Sequence, residues 1–291
     1  MARIIQRLMS LSGKPMLWLQ YLLPHHLITR LAGSLAHWRF RPWVRAFIRV
    51  YARVYRVDMS EAATDDVDRY PSFNAFFVRP LRPGARPLPE EQDAVACPTD
   101  GTVSALGRLE GGRMLQAKGR DYTAAALLGD DRLAATFENG AFITLYLSPR
   151  DYHRVHMPVD AELRSTAHVP GRLFSVAPFA VRGIPGLFCR NERLACEFET
   201  AAGAMAQVLV GAMIVAGIET VWHSDFAHPG RPSRETFRPD QVRLARGEEM
   251  ARFNMGSTVI LLFEAGRIRW RESLLPGDRV RMGQAIGNRL S

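Results

Sequence analysis

From about residue 70 onward the chain is cut into short apolar runs by a steady supply of turn dipeptides. That punctuation restricts its fold more than any other feature. Asp100-Gly101, Asn139-Gly140, Pro170-Gly171, Pro185-Gly186, Pro229-Gly230 and Pro276-Gly277 are each suited to reversing the chain. Between such points lie 141–147 (AFITLYL), 207–210, 213–215 and 258–264 (TVILLFE), all rich in the branched and aromatic side chains of strands. Strands do not alternate with long helical patterns, which argues against a doubly wound parallel sheet. Taken alone, Asp100-Gly101 reads as a hairpin turn joining 94–96 to 103–105. Residues 123–128 read as a short helix.

The first seventy residues have another character. Pro42 suits the first turn of a helix reaching about Arg56. Within it Arg45, Arg49, Arg53 and Arg56 fall on one face, beside Val44, Phe47, Ile48, Tyr51, Val54 and Tyr55. An arginine row flanked by such residues suits a membrane interface as well as a protein core. Trp18, Tyr21, Trp38 and Trp43, which favour headgroup depth, tilt the reading to the interface. PLRPGARPLP (80–89) is a stiff join. The expected fold class is α+β: N-terminal amphipathic helices in a membrane-associating region (1–70), then a mostly antiparallel β-rich core (71–291).

Composition narrows the class further. The chain of 291 residues is 47% hydrophobic and 23% charged, enough for one good core and little long disorder. Its net charge of +9, almost all from arginine, suits a polyanion such as nucleic acid or an anionic membrane. The apolar run 16–23 is too short to cross a bilayer, which takes about 20 residues. Gln20 also interrupts it, and no convincing signal-peptide cleavage site follows closely. The longer run 203–222 is divided by Gly211 and Gly217 and reads as two buried strands. Cys97, Cys189 and Cys196 lack metal or redox spacing and read as buried thiols in a reducing compartment.

Three places carry candidate chemistry. Gly256-Ser257-Thr258 opens a strand. Gly256 permits unusual backbone angles, and the Ser257 hydroxyl can attack the neighbouring carbonyl if a base is present. In SPRDYHRVHMP (148–158), His153 and His156 stand three apart in a loop stiffened by prolines and supply imidazoles for acid–base work. No third ligand completes a zinc site. Asp100 sits in its tight turn. Each alone has a plainer reading: a strand-capping serine, a structural histidine pair, a hairpin. Together, Asp, His and Ser are the orienter, base and nucleophile of a triad.

Taken jointly, these segments resemble the bacterial phosphatidylserine decarboxylase family over nearly the whole chain. The likeness runs through LQYLLPHHLITRLAG (19–33), FNAFFVRPLRP (73–83), PTDG (98–101), LQAKGRDY (115–122) and YLSPRDYHRVHMP (146–158). It continues through VPGRLFSV (169–176), LFCRNERLACEF (187–198), VGAMIVAGIETVW (210–222) and GSTVILLFE (256–264). Met255 stands where the family usually has leucine, a volume-conserving exchange.

The resemblance implies a proenzyme that cuts itself between Gly256 and Ser257, with Asp100, His156 and Ser257 as the self-cleavage triad. Ser257 becomes a covalent pyruvoyl group, the only cofactor, which serves as the Schiff-base electrophile. His153 is the implied proton donor in the decarboxylation of phosphatidylserine to phosphatidylethanolamine. No metal is implied. The cleaved chains 1–256 and 257–291 stay associated, as a homodimer of cleaved units. The partner is an anionic phospholipid membrane rather than nucleic acid, and the implied location is peripheral, on the cytoplasmic face of the bacterial inner membrane. Two alternatives stand beside this: a pyruvoyl decarboxylase of a soluble amino acid, and a non-catalytic peripheral lipid-binding protein.

Overall fold

A computed structural model describes residues 13–117, 119–214, 217–223, 231–254 and 257–290. Three helices lead: α1 (Gly13–Leu22), α2 (His25–His37) and α3 (Arg41–Tyr55). Pro42 lies in the first turn of α3, and Arg56 closes it in the left-handed conformation. The short helix α4 (Phe73–Phe77) is capped by the Ser72 hydroxyl, which accepts from the Ala75 N–H at 3.2 Å.

Strands then dominate: β1 (Ala94–Ala96), β2 (Gly101–Arg108), β3 (Arg113–Ala117), β4 (Arg120–Thr123), β5 (Ala141–Leu147) and β6 (Arg154–His156). They continue with β7 (Ala161–Val169), β8 (Arg193–Thr200), β9 (Gly203–Val210), β10 (Ile218–Thr220), β11 (Ser233–Thr236) and β12 (Arg243–Leu244). The last are β13 (Glu249–Phe253), β14 (Ser257–Phe263), β15 (Ile268–Trp270), β16 (Arg279–Val280) and β17 (Ala285–Arg289). The main sheet runs β11-β7-β8-β9-β14-β5-β2-β16, with β12 also on β7, and all its pairings are antiparallel. The fold is α+β, as the sequence pattern implied. Every residue of β14 is buried, between β5 and β9. The run 123–128 is a helix, Ala124–Leu128, capped by Thr123.

Two local expectations are corrected. β1 and β2 do not form a hairpin: β1 pairs with β17 and β2 with β5 and β16, so Asp100-Gly101 passes the chain from one sheet to another. Residues 213–215 are not a strand where described. Met213 and Ile214 lie in a turn, Ile214 at φ +74°, and the Ile214 N–H donates to Thr29 Oγ1 at 3.2 Å instead of to a ladder. Val215, like Pro229-Gly230, lies outside the described residues.

The main core fills the space around the large sheet. A second cluster joins Ala36, Val44 and Ile48 of the leading helices to Tyr70, Phe73, Phe76 and Phe77, so α3 packs on α4. Packing inverts α2. Its polar His25 and Thr29 face inward with Gly33 and Ala36, while Leu27, Leu31 and Leu35, spaced four apart, are exposed.

Candidate active site

Ser257 opens β14, opposite Leu147 on β5. It is fully buried, and its Oγ has no hydrogen-bond partner among the described residues. Leaving such a group unpaired costs roughly 1–3 kcal/mol, so it calls for an explanation. A nucleophile kept clear of competing bonds is one. Met255 and the predicted cleavage residue Gly256 lie outside the described residues. The segment leading to them is pinned. The Asn254 N–H donates to the Gly217 carbonyl at 3.0 Å and its Nδ2 to Glu219 Oε1 at 2.7 Å, while its Oδ1 accepts from Asn74 Nδ2 at 3.0 Å.

His153 is buried and stacked on Phe77, ring centroids 4.0 Å apart. Its Nε2 lies 3.1 Å from the Ser148 carbonyl. A carbonyl only accepts, so Nε2 carries the proton and Nδ1 the lone pair. Nδ1 has no partner among the described residues. Burial pushes the pKa of this imidazole down to about 3, so it is neutral. Asp151 shapes its anchor: Oδ2 accepts both the Ser148 N–H and O–H at 2.7 Å, and Oδ1 accepts from Arg279 at 2.6 Å. Ser148 directly follows Leu147, so the His153 anchor and Ser257 share one end of the β5–β14 ladder.

His156 closes β6, and its N–H donates to the Pro98 carbonyl at 2.8 Å, which seats the strand against the Pro98–Gly101 turn. Both ring nitrogens are engaged. Nδ1 donates to the Gly247 carbonyl at 2.8 Å, and Nε2 accepts the Tyr152 hydroxyl at 3.0 Å. Burial lowers its pKa too. It also holds the Tyr152 phenol above its ordinary value, so Tyr152 is a firm donor.

Asp100 faces the other way. Arg86 grips it with Nε on Oδ1 at 2.9 Å and Nη2 on Oδ2 at 2.6 Å, and the Met282 N–H adds 2.8 Å to Oδ1. Gly101 lets the turn sit there: a Cβ would lie 2.6 Å from the Tyr146 carbonyl oxygen. The Asp100 turn and the His153–His156 segment thus meet through main-chain bonds. Asp100 and His156 share no hydrogen bond among the described residues, and neither bonds Ser257.

Sequence reasoning passed over Arg86, Tyr152, Asn74 and Asn254. Arg86 sat in a proline-rich join that read as a spacer, Asn74 and Tyr152 were parts of matching stretches with no chemistry assigned, and Asn254 stood just before the predicted cut with no role given to it. Among the described residues no three His, Cys, Asp or Glu side chains group to hold a metal ion.

An antiparallel core that buries a serine with no partner among the described residues, together with two buried neutral imidazoles, has the makings of an enzyme, and comparison with known proteins gives its kind. The family model described as phosphatidylserine decarboxylase matches residues 73–288, and one described as PSD matches residues 16–56. The phosphatidylserine decarboxylase proenzyme of Pseudomonas putida (strain GB-1) is 52% identical over 273 residues, covering 92% of this chain and 95% of that protein. That of Stutzerimonas stutzeri (strain A1501) is 53% identical over 275 residues, 92% of each chain. That of Azotobacter vinelandii (strain DJ / ATCC BAA-1303) is 52% identical, covering 92% of this chain and 96% of its own. The chain belongs to the phosphatidylserine decarboxylase family, a family of decarboxylases.

Proposed function

We propose that the chain is made as a proenzyme, cuts itself between Gly256 and Ser257, and then decarboxylates phosphatidylserine to phosphatidylethanolamine. The observation that carries this reading is the buried Ser257 Oγ, free of any partner among the described residues, at the head of the central strand.

In this reading Ser257 Oγ attacks the Gly256 carbonyl carbon while His156 takes the hydroxyl proton. The proton returns to the Ser257 nitrogen as the C–N bond breaks, and the peptide becomes an ester. Loss of the Ser257 Cα proton then expels the Gly256 carboxylate, leaving a dehydroalanine. Water replaces its nitrogen, releasing ammonia, and the new N-terminus is a pyruvoyl group. Asp100 acts on His156 through its turn, whose Pro98 carbonyl accepts the His156 N–H at 2.8 Å, while the Gly247 carbonyl holds the imidazole Nδ1. Tyr152 occupies the His156 lone pair in the arrangement described, so its hydroxyl must turn aside before His156 accepts a proton.

The pyruvoyl group supplies the carbonyl that captures the substrate amine and takes up the electron pair left by departing CO₂. His153 then delivers the proton to the product. It holds no spare proton at neutral pH, so it passes on one taken up at Nδ1. The two products of the cut stay together because strands of the smaller pair with strands of the larger: β14 with β5 and β9, β16 with β2, and β17 with β1.

Exposed Trp18, Leu22, Leu27, Leu31, Leu35, Trp38 and Phe40 on and around α1 and α2 support the membrane-bound reading over one with a soluble amino acid as substrate. No described helix is long and apolar enough to cross a membrane. We assign the chain a peripheral place on the cytoplasmic face of the inner membrane.

Intact mass under denaturing conditions, with Ser257→Ala alongside, tests the proposal. The wild type should give two chains, the smaller starting at residue 257 and lighter by one ammonia than a serine N-terminus, while the variant stays whole. An uncut chain in both samples, from folded protein, returns the reading to a non-catalytic lipid-binding protein.

A further inference from the structure

A cavity of about 470 Å³ is lined by Asp100, by Arg150, Asp151 and Tyr152 of the 148–158 segment, and by β16. Its wall is dense in charge, and most of that charge is already matched. Asp100 and Glu61 are taken by Arg86, Glu61 also by Arg281, and Asp151 by Arg279. Asp58 accepts the N–H and O–H of Ser60. What remains is the Asp58 carboxylate and three cations: Arg56, Arg79 and Arg150 line the cavity, and none has a carboxylate in contact among the described residues.

Arg56 and Arg150 are exposed, and water can balance them. Arg79 is different, being only 4% exposed. Its Nε has no hydrogen-bond partner among the described residues. One Nη reaches the Arg150 carbonyl at a long 3.5 Å, and the Phe76 ring lies 5.3 Å from its Cζ. Burial works against its charge, yet a guanidinium does not shed its proton in a protein. Asp100 and Asp151 favour its charge only from a distance, and a buried cation with no carboxylate in contact and few hydrogen bonds is disfavoured unless an anion joins it. Its planar fork suits two oxygens of one phosphate.

We infer that this cavity is a phosphate-group site, with Arg79 as its buried anchor and Arg56 and Arg150 at its rim. Two sources share that chemistry: the phosphodiester of a lipid headgroup, and free inorganic phosphate. The site does not depend on the self-cleavage reading: Asp100 lines the cavity, but its carboxylate is held by Arg86, and the three arginines assigned to the anion lie outside the Asp100, His156, Ser257 set.

The test is thermal unfolding of the full-length protein titrated with inorganic phosphate, with glycerophosphoserine, and with chloride at matched ionic strength. The variants are Arg79→Gln, Arg150→Gln and, outside the cavity, Arg49→Gln. Phosphate or glycerophosphoserine should raise the midpoint above the chloride control. The apparent affinity should fall at least tenfold in Arg79→Gln, several-fold in Arg150→Gln, and not at all in Arg49→Gln. Glycerophosphoserine binding tenfold or more tighter than phosphate assigns the site to a headgroup, and equal binding assigns it to free phosphate. Should Arg79→Gln fail to fold, Arg150→Gln against Arg49→Gln still decides. Protection no greater than chloride, or equal in all variants, overturns the site. Intact mass on the same samples keeps the two readings apart: a self-cleaving enzyme without anion protection sinks only the site, and an uncut protein with it sinks only the cleavage.

Discussion

Arg86 holds both carboxylate oxygens of Asp100, through Nε at 2.9 Å and Nη2 at 2.6 Å, with both side chains about nine-tenths buried. An aspartate so held is no longer free to swing toward a histidine without leaving the arginine uncompensated. The pair therefore fixes the Pro98–Gly101 turn as much as it serves any chemistry.

Removing only the arginine should be costly. Arg86→Met leaves Asp100 as a buried charge with a single main-chain donor, and should destabilise the fold by about 3–5 kcal/mol. Adding Asp100→Asn removes that charge and should restore a good part of the loss. Denaturant midpoints of the two variants, at neutral pH and with cleavage state matched, check this. Equal losses in single and double variants would mean that the Arg86–Glu61 contact, not the Asp100 pair, carries the stability.

How much of this was legible in the sequence depends on how local the cause is. β5 was readable because AFITLYL is apolar and branched and lies between turns, and its strand matches that run end to end. α3 was readable from Pro42 and its periodic face. The Asp100-Gly101 hairpin was misread because β1 finds its partner nearly two hundred residues away, in β17. A local rule has no access to such a pairing. The Arg86 clamp and the His156 contact with the Gly247 carbonyl are non-local in the same way. α2 misleads for another reason: its leucines follow a core-like spacing, yet the face they mark is exposed. The roles of Asp100, His153, His156 and Ser257 came from the family resemblance and not from spacing. The structure gives those residues an address without giving them a reaction.

Neutral, buried His153 makes stability depend on pH. Its folded pKa lies far below the ordinary value near 6.5, so between about 3 and 6.5 the unfolded chain binds a proton that the native state refuses. Stability should therefore rise with pH across that window and level off above it. The contribution approaches about 1.4 kcal/mol per pH unit for one proton. His153→Gln should flatten the slope, measured as the denaturant midpoint from pH 4.5 to 7. An unchanged slope would leave His156, lowered in the same direction, as its source.

His156 has a partner that competes with its proposed role. Tyr152→Phe keeps the stacked ring but removes the hydroxyl that occupies Nε2. Self-cleavage in this variant, followed by gel from a cell-free synthesis, should be no slower than in the wild type. In the wild type the rate should hold flat as pH falls through 6.5 and drop only below it, because burial keeps His156 an unprotonated base there. A block in Tyr152→Phe would mean that the phenol itself carries the proton.

The outward leucines of α2 give the membrane reading its sharpest test. Leu27 and Leu31 are 56% and 59% exposed, so they contribute little to the packed fold. Replacing both by Glu should change the unfolding free energy in plain buffer by less than about 1 kcal/mol, as surface substitutions do. On anionic vesicles the expectation reverses. Burying one leucine in the acyl boundary is worth roughly 1.5–3 kcal/mol, so losing two should cut vesicle binding by at least about tenfold. Co-flotation with phosphatidylserine-containing vesicles measures it, with Arg49→Gln and Arg53→Gln separating the electrostatic share by its salt dependence. Full binding by a stable Leu27→Glu/Leu31→Glu protein would move the docking face off α2, toward Val50 and Val54 on α3.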